Sequence, residues 1–258
     1  MVQIEPQSIV YSFDAGTAYA GFAALPDGTQ GAIEKHIAIV IIESFIEPAD
    51  HDYLAARSLA IGGLHRSFFW SAAQAVEKYL KAFLMLNNVS VKKFSHSLVG
   101  LLTAAEKVES GFGDIDLAPH SALTLPAEVL PLTRFTRASF IAELEKYGSP
   151  NNRYNNYGSI YDTGHLFALD SLVYNLRKKM GVPSLKASFH SISKDFYRYL
   201  YDNNPYYAPN GFVHTEFSAE AFRLTHSMSV PRWEVLKNHN NLEFYIAREW
   251  LKNHMLID

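Results

Sequence analysis

Cysteine is absent from the 258 residues, which excludes disulfides, iron–sulfur clusters and thiolate zinc sites. Its absence suits a reducing compartment, and a cytoplasmic location is the expectation. Long apolar runs are missing as well. The most apolar stretch, Ile37 to Ile42, falls far short of the about 20 residues that cross a bilayer. Met1-Val2-Gln3-Ile4-Glu5-Pro6 has neither the basic nor the apolar region of a secretion signal, so no membrane association is expected. Charge of one sign is scarce: 23 Lys and Arg against 26 Asp and Glu leave a formal net charge of -3. Any phosphate-binding surface must therefore be a local patch. No P-loop, dinucleotide fingerprint, nucleophile elbow or metal-ligand spacing occurs, so no cofactor and no metal are expected. What is present is a hydrophobic share of 48 % with 19 % charged residues, the composition of a globular protein.

The chain is organised around Phe69 to Leu84. Phe69, Ala72, Ala73, Val76, Leu80, Phe83 and Leu84 follow the i, i+3, i+4, i+7 spacing of one helical face. Ala72, Ala75 and Ala82 leave room for neighbouring helices, and no Pro or Gly interrupts the run. Gln74, Lys78 and Lys81 fall on the opposite side, with Glu77 and Lys81 spaced as a favourable i, i+4 pair.

On either side of that helix the patterns differ. Residues 1–47 predict a small β element: Ser8 to Phe13 and His36 to Ile42 are rich in β-branched and aromatic residues, punctuated by Gly16, Gly21, Pro26-Asp27-Gly28 and Gly31. From Glu47 the pattern is helical. Pro48 fits a first turn, and Asp50 and Asp52 suit the positive end of a helix dipole. Tyr53 to Ile61 is a short helix stopped by Gly62-Gly63. Ser95 is the expected N-cap of a third helix bearing Leu98, Leu101, Leu102, Ala105 and Val108. Phe140, Ile141, Leu144 and Tyr147 mark a fourth, ended by Gly148. After the polar loop from Asn151 to Gly158, Ser159 with Asp162 reads as a capping box for a fifth helix with Leu166, Leu169, Val173, Leu176 and Met180 on one seam. The last third, 183–258, reads as shorter helices, one of them opening at Ser218.

Three pieces, in order, resemble the HEPN domain family. The helix around Ala55 to Arg57 is followed by Gln74-Ala75-Val76-Glu77-Lys78-Tyr79-Leu80-Lys81-Ala82, close to the family's QAxEKxLKA helix. Ser95-His96-Ser97-Leu98 with Leu101-Leu102 is similar to its histidine-led third helix, and Arg153-Tyr154 is similar to its RY element before the last helix. The resemblance implies a mainly α fold: an up-and-down bundle of four to five helices over 48–182, with the β element at 1–47 and a helical extension at 183–258. It also implies a two-fold homodimer and a nucleotide or RNA ligand. The expected partner is a nucleotidyltransferase or, in a toxin–antitoxin or other defence system, an antitoxin. Some relatives are metal-independent ribonucleases that carry an arginine four to six residues before a histidine near the start of the last helix. There the arginine would stabilise phosphorane charge while the histidine moves the 2′-hydroxyl proton. This chain departs from that pattern, because the first histidine after Arg153 is His165. Arg232 with His239 and Arg248 with His254 keep the spacing, but in the C-terminal extension.

The candidate residues carry two readings each. Arg153 contacts phosphate or anchors its loop through a carboxylate. Tyr154 and Tyr157 stack on bases or pack the loop, and Asn155 is a polar reader or ordinary turn chemistry. His96 donates to phosphate or packs a helix start. His165 is a catalytic base acting with Arg153, or a half-buried bundle histidine. Lys78 and Lys81 contact phosphate, form a dimer surface, or are a solvated face. The aromatic segment Phe196 to Tyr201, with Tyr206 and Tyr207, is a stacking platform or the packing of the extension on the bundle.

Overall fold

A computed structural model describes residues 20–118, 120, 135–152 and 154–182, together with 13, 185, 204, 206–207, 226–229 and 237–238. The described part is mainly helical, and among the described residues no helix is long and apolar enough to cross a membrane.

The segment expected to be a β element contains the first long helix, α1 (Asp27–Ile41). Pro26 precedes it, and its carbonyl accepts from Thr29 and Gln30 at 2.8 and 3.1 Å. The Pro-Asp-Gly signal thus opens a helix rather than closing a turn. The β-branched run His36 to Ile42 corrects in the same way. Helical winding turns Ala38 and Ile41 inward and leaves Val40 outside. The helix preference that Ile and Val lack is worth only tenths of a kcal/mol per residue, roughly a fifth of what burying one such side chain returns. Of Ser8 to Phe13, all but Phe13 lie outside the described residues.

From α1 the chain continues through a π turn, Ile42–Ile46, into α2 (Glu47–Ile61) without leaving helical geometry. The π turn sits where Pro48 needs it. Proline has no N–H for the carbonyl four residues back and its ring crowds that carbonyl, which here belongs to Ser44, inside the widened turn. Asp50, expected at the N-terminal end of a helix, lies in the first turn of α2 and is completely buried.

Helix α3 (His65–Leu86) is the axle of the molecule. It packs against α2, α4 (Leu98–Val108), α5 (Arg137–Tyr147) and α6 (Thr163–Lys179). Its buried set therefore runs nearly round the helix, from Phe68, Phe69 and Ala72 through Tyr79, Leu80 and Leu84. Ala75 and Ala82, both fully buried, allow these close approaches.

Caps define the ends. Ser97, not Ser95, caps α4: its hydroxyl accepts from Gly100 N–H at 3.0 Å. Ser95 instead adopts φ 47° in the preceding turn. Thr136 and Ser139 form the reciprocal cap of α5. Helix α6 is capped by Asp162 with His165, so the expected Ser159–Asp162 box is one turn too early. Ser159 begins a strand instead, β1 (Ser159–Asp162), paired antiparallel with β2 (His226–Ser229) in the register Ser159↔Ser229 to Asp162↔His226. That described part of 183–258 is strand, where helix was expected. Ser218 and Phe196 to Tyr201 lie outside the described residues.

Candidate functional site

The loop between α5 and β1 is built on Asn152. Its side-chain amide donates to the Tyr147 carbonyl at 3.0 Å and the Gly158 carbonyl at 2.9 Å, while its Oδ1 accepts from Tyr157 N–H at 2.9 Å. One buried side chain thus ties both ends of the loop together. Asn155 sits in the left-handed region at φ 63°, a conformation Asn tolerates through its short polar side chain, and its N–H donates to Asn152 O at 2.8 Å. The result is a pre-formed turn that holds Tyr154 at 70 % and Tyr157 at 40 % exposure. Arg153 lies outside the described residues.

His165 is not beside that loop's surface but inside the bundle, 2 % exposed. Phe69, Phe135 and Phe140 surround its ring, and Tyr161 stacks on it at 5.5 Å. Nε2 is 2.9 Å from a Glu143 carboxylate oxygen, and Nδ1 is 3.1 Å from both the N–H and the carbonyl of Asp162. Burial lowers its pKa, but hydrogen bonds to Asp162 and Glu143, followed by their charges, more than offset that and raise it to about 9. As imidazolium the ring donates to Glu143 and Asp162. As neutral imidazole Nδ1 accepts from Asp162 N–H and completes the helix cap. Both states therefore keep a partner on each nitrogen, and the expected role as an accessible catalytic base does not fit this position.

The sign of the linkage follows from the raised pKa. The ring's contribution to stability is complete below about pH 6.5, the ordinary histidine value, and is lost as pH rises through about 9. Because Glu143 is 40 % exposed and so screened, and because the neutral ring regains the backbone bond, the expected loss is about 1–2 kcal/mol. Urea unfolding midpoints measured from pH 6 to 9.5 should show this slope, and His165→Gln should flatten it.

The two lysines of α3 are not a free basic stripe. Lys78 is paired with Asp52 of α2. Lys81 donates to Glu77 at 2.7 Å and to the Ser95 carbonyl at 2.7 Å. Glu77, expected on the solvated side, is buried and also faces His96 Nδ1. The structure therefore brings Lys81, Glu77 and His96 together and leaves Lys78 with Asp52.

The largest polar feature was invisible as a site in the sequence. Helix α2 carries Asp50 and Arg57 seven residues apart, and α6 carries Asp170 and Arg177 at the same spacing. Seven residues is two helical turns, so each pair shares a face. The helices meet so that Asp50 pairs with Arg177 and Arg57 with Asp170, all four buried. Tyr53 donates to Asp170 at 2.6 Å and accepts from Asn204 at 2.9 Å, while Tyr79 donates to Asp50. Burial pushes the Asp170 carboxyl up, against the opposing pull of Arg57 and Tyr53. Tyr207, expected in a platform, is half-buried and packs edge-on against Tyr53 and Tyr174. The doubled Asp–Arg spacing within otherwise apolar seams was the available signal.

Neither the curated proteins nor the solved structures contain a match to this chain. A family model does match, over residues 42–118, a span that runs from the π turn through α2, α3 and α4. The matching model is that of the HEPN domain, and over these residues the chain is similar to it.

Proposed function

We propose that the chain is a nucleotide- or RNA-phosphate-binding module whose contact surface is the loop from Asn151 to Gly158. The observation that carries this is the Asn152-tethered turn with Tyr154 and Tyr157 held outward. Pre-formed loops lose little entropy on binding, and exposed aromatic rings are the groups on which single-stranded bases stack. Arg153, next to Tyr154 in sequence, supplies the cation for a phosphate. In this reading the module works as a homodimer beside a nucleotidyltransferase or an antitoxin. Cleavage through Arg153 and His165 is not part of it, since His165 is enclosed and engaged on both nitrogens.

Stacking on one tyrosine contributes about 1–3 kcal/mol. Tyr154→Ala should therefore weaken binding of a fluorescent single-stranded RNA at least fivefold in an anisotropy titration. Arg153→Ala should reduce affinity at low salt and lower the salt dependence by about one phosphate contact. Wild-type affinity in both variants would remove the loop from the site.

A further inference from the structure

Arg137 is the first residue of α5 and is completely buried. Its guanidinium lies 4.1 Å from the centre of the Phe112 ring, and Nη1 donates to the Phe112 carbonyl at 2.7 Å. The other edge of the fork is left over. Nε and Nη2 are both shut off from solvent, and neither has a hydrogen-bond partner among the described residues. The two carboxylates whose charges reach this guanidinium, those of Glu109 and Glu106, are held by other donors. Glu106 takes the N–H groups of Phe112 and Gly113, while Glu109 takes Lys179 at 2.6 and 2.7 Å. Burial, only partly opposed by Glu109 and Glu106, brings the Arg137 pKa down to about 10, which leaves the group charged at neutral pH.

The setting calls for an anion. A buried cation with no counter-ion is strongly destabilising, and a cation in the first turn of a helix opposes the positive end of the dipole. The backbone N–H groups at this helix start are already used. Those of Arg137 and Ala138 donate to the Ile115 and Gly113 carbonyls at 2.8 and 2.9 Å, and that of Ser139 to the Thr136 hydroxyl at 3.1 Å. The open donors are therefore those of the side chain. Nε–H and Nη2–H point the same way along one guanidinium edge, and this pair matches the two oxygens of a carboxylate. A planar monoanion suits an enclosed place better than phosphate, because the cost of leaving water rises steeply with charge. Size is restricted as well, since the ligand must enter through a local opening of the fold. We infer that the Nε–Nη2 edge of Arg137 is a binding site for a small carboxylate, of the size of formate or acetate, which supplies the missing counter-ion at the start of α5. The site lies at the opposite end of α5 from the 151–158 loop and does not depend on what that loop binds.

The experiment is thermal unfolding at fixed ionic strength in sodium formate, acetate, chloride, sulfate or phosphate, on the wild type, Arg137→Met and Arg137→Lys. Formate and acetate should raise the wild-type melting temperature by about 3 °C or more and then saturate, as binding at one site requires. Sulfate and phosphate stabilise folded proteins in general without saturating, so each salt is judged by the difference between the wild type and Arg137→Met. That difference should appear with the carboxylates alone. Methionine keeps most of the stem and removes the charge, so the saturable rise should vanish in Arg137→Met. Lysine keeps the charge and loses the fork, and its carboxylate affinity should fall roughly fivefold or more. Where neither variant folds, the wild type decides. Its Arg137 Nε–H, identified in a proton–nitrogen spectrum by its proximity to the Phe112 ring protons, should move downfield and saturate as formate is added. No saturable rise with either carboxylate overturns the inference, as does a rise of equal size in Arg137→Met or an Nε–H that stays still. A difference seen with sulfate or phosphate but not with the carboxylates overturns it too.

Discussion

Asp170→Ala is expected to lower the unfolding free energy by about 3–5 kcal/mol, the cost of leaving one partner of a buried ion pair uncompensated. Asp170 takes both the Arg57 guanidinium and the Tyr53 hydroxyl, and it is 2 % exposed, so no solvent replaces what alanine removes. Arg57 would remain charged in the bundle without the Asp170 carboxylate. The double replacement Arg57→Met with Asp170→Leu should recover most of the loss, because the desolvation cost of both ions disappears with them. Urea unfolding followed by circular dichroism measures both. A single variant within 1 kcal/mol of wild type would show that the pair adds nothing to the α2–α6 contact. Asp50 and Arg177 form the second such pair between the same helices, so the two cannot be treated as independent. Charges placed this way specify which faces of α2 and α6 meet, since a one-turn slip would leave four ions buried without partners.

Gly148→Ala should cost about 3 kcal/mol, at the upper end of what overpacking a core imposes. The backbone here is ordinary, with φ -92°, so the glycine is required by space alone. An added Cβ would meet the Phe69 carbonyl oxygen, and would lie 2.6 Å from Ala73 Cβ and 2.9 Å from the Leu144 carbonyl oxygen. Two of these are main chain of α3 and α5, which cannot rotate away, so α5 must lift from α3. The loop that follows hangs from this junction through the Tyr147 carbonyl and Asn152, and RNA affinity should fall along with stability. Gly31→Ala is the matched control. It lies in α1 with nothing within 4 Å of the added Cβ, and should stabilise by about 0.5–1 kcal/mol through helix preference. Thermal unfolding of the two variants side by side separates the steric effect from the general effect of removing a glycine.

The relation between Gly148 and Gly31 also shows where sequence reading succeeds. Helices α3, α4 and α6 were legible because their signals are local: apolar spacing at three and four residues, and stop signals at Gly62-Gly63 and Gly181. The α2 end at Ile61 followed from the same stop, and the HEPN resemblance lay in short local pieces, Ala55 to Arg57 with Gln74 to Ala82, Ser95 to Leu98 with Leu101-Leu102, and Arg153-Tyr154. Cap positions were missed by a turn at Ser159 and by two residues at Ser95, since several Ser and Asp residues compete and geometry chooses among them. His36 to Ile42 misled because its β-branched side chains carry a weak strand preference that packing on α3 overrides.

Short-range chemistry written in neighbouring residues therefore settled that this chain is helical, where its central helix lies, and which loop is polar. What each polar side chain does was settled in space. Glu77 and Lys81 read in sequence as a helix-surface pair until the turn before α4 brought Ser95 and His96 to them, and His165 looked half-buried until Phe135, Phe140 and Glu143 surrounded it. Asp50, Arg57, Asp170 and Arg177 acquired partners more than a hundred residues distant. The field and burial at a side chain come from groups far off in sequence, and those are assembled only when the helices pack.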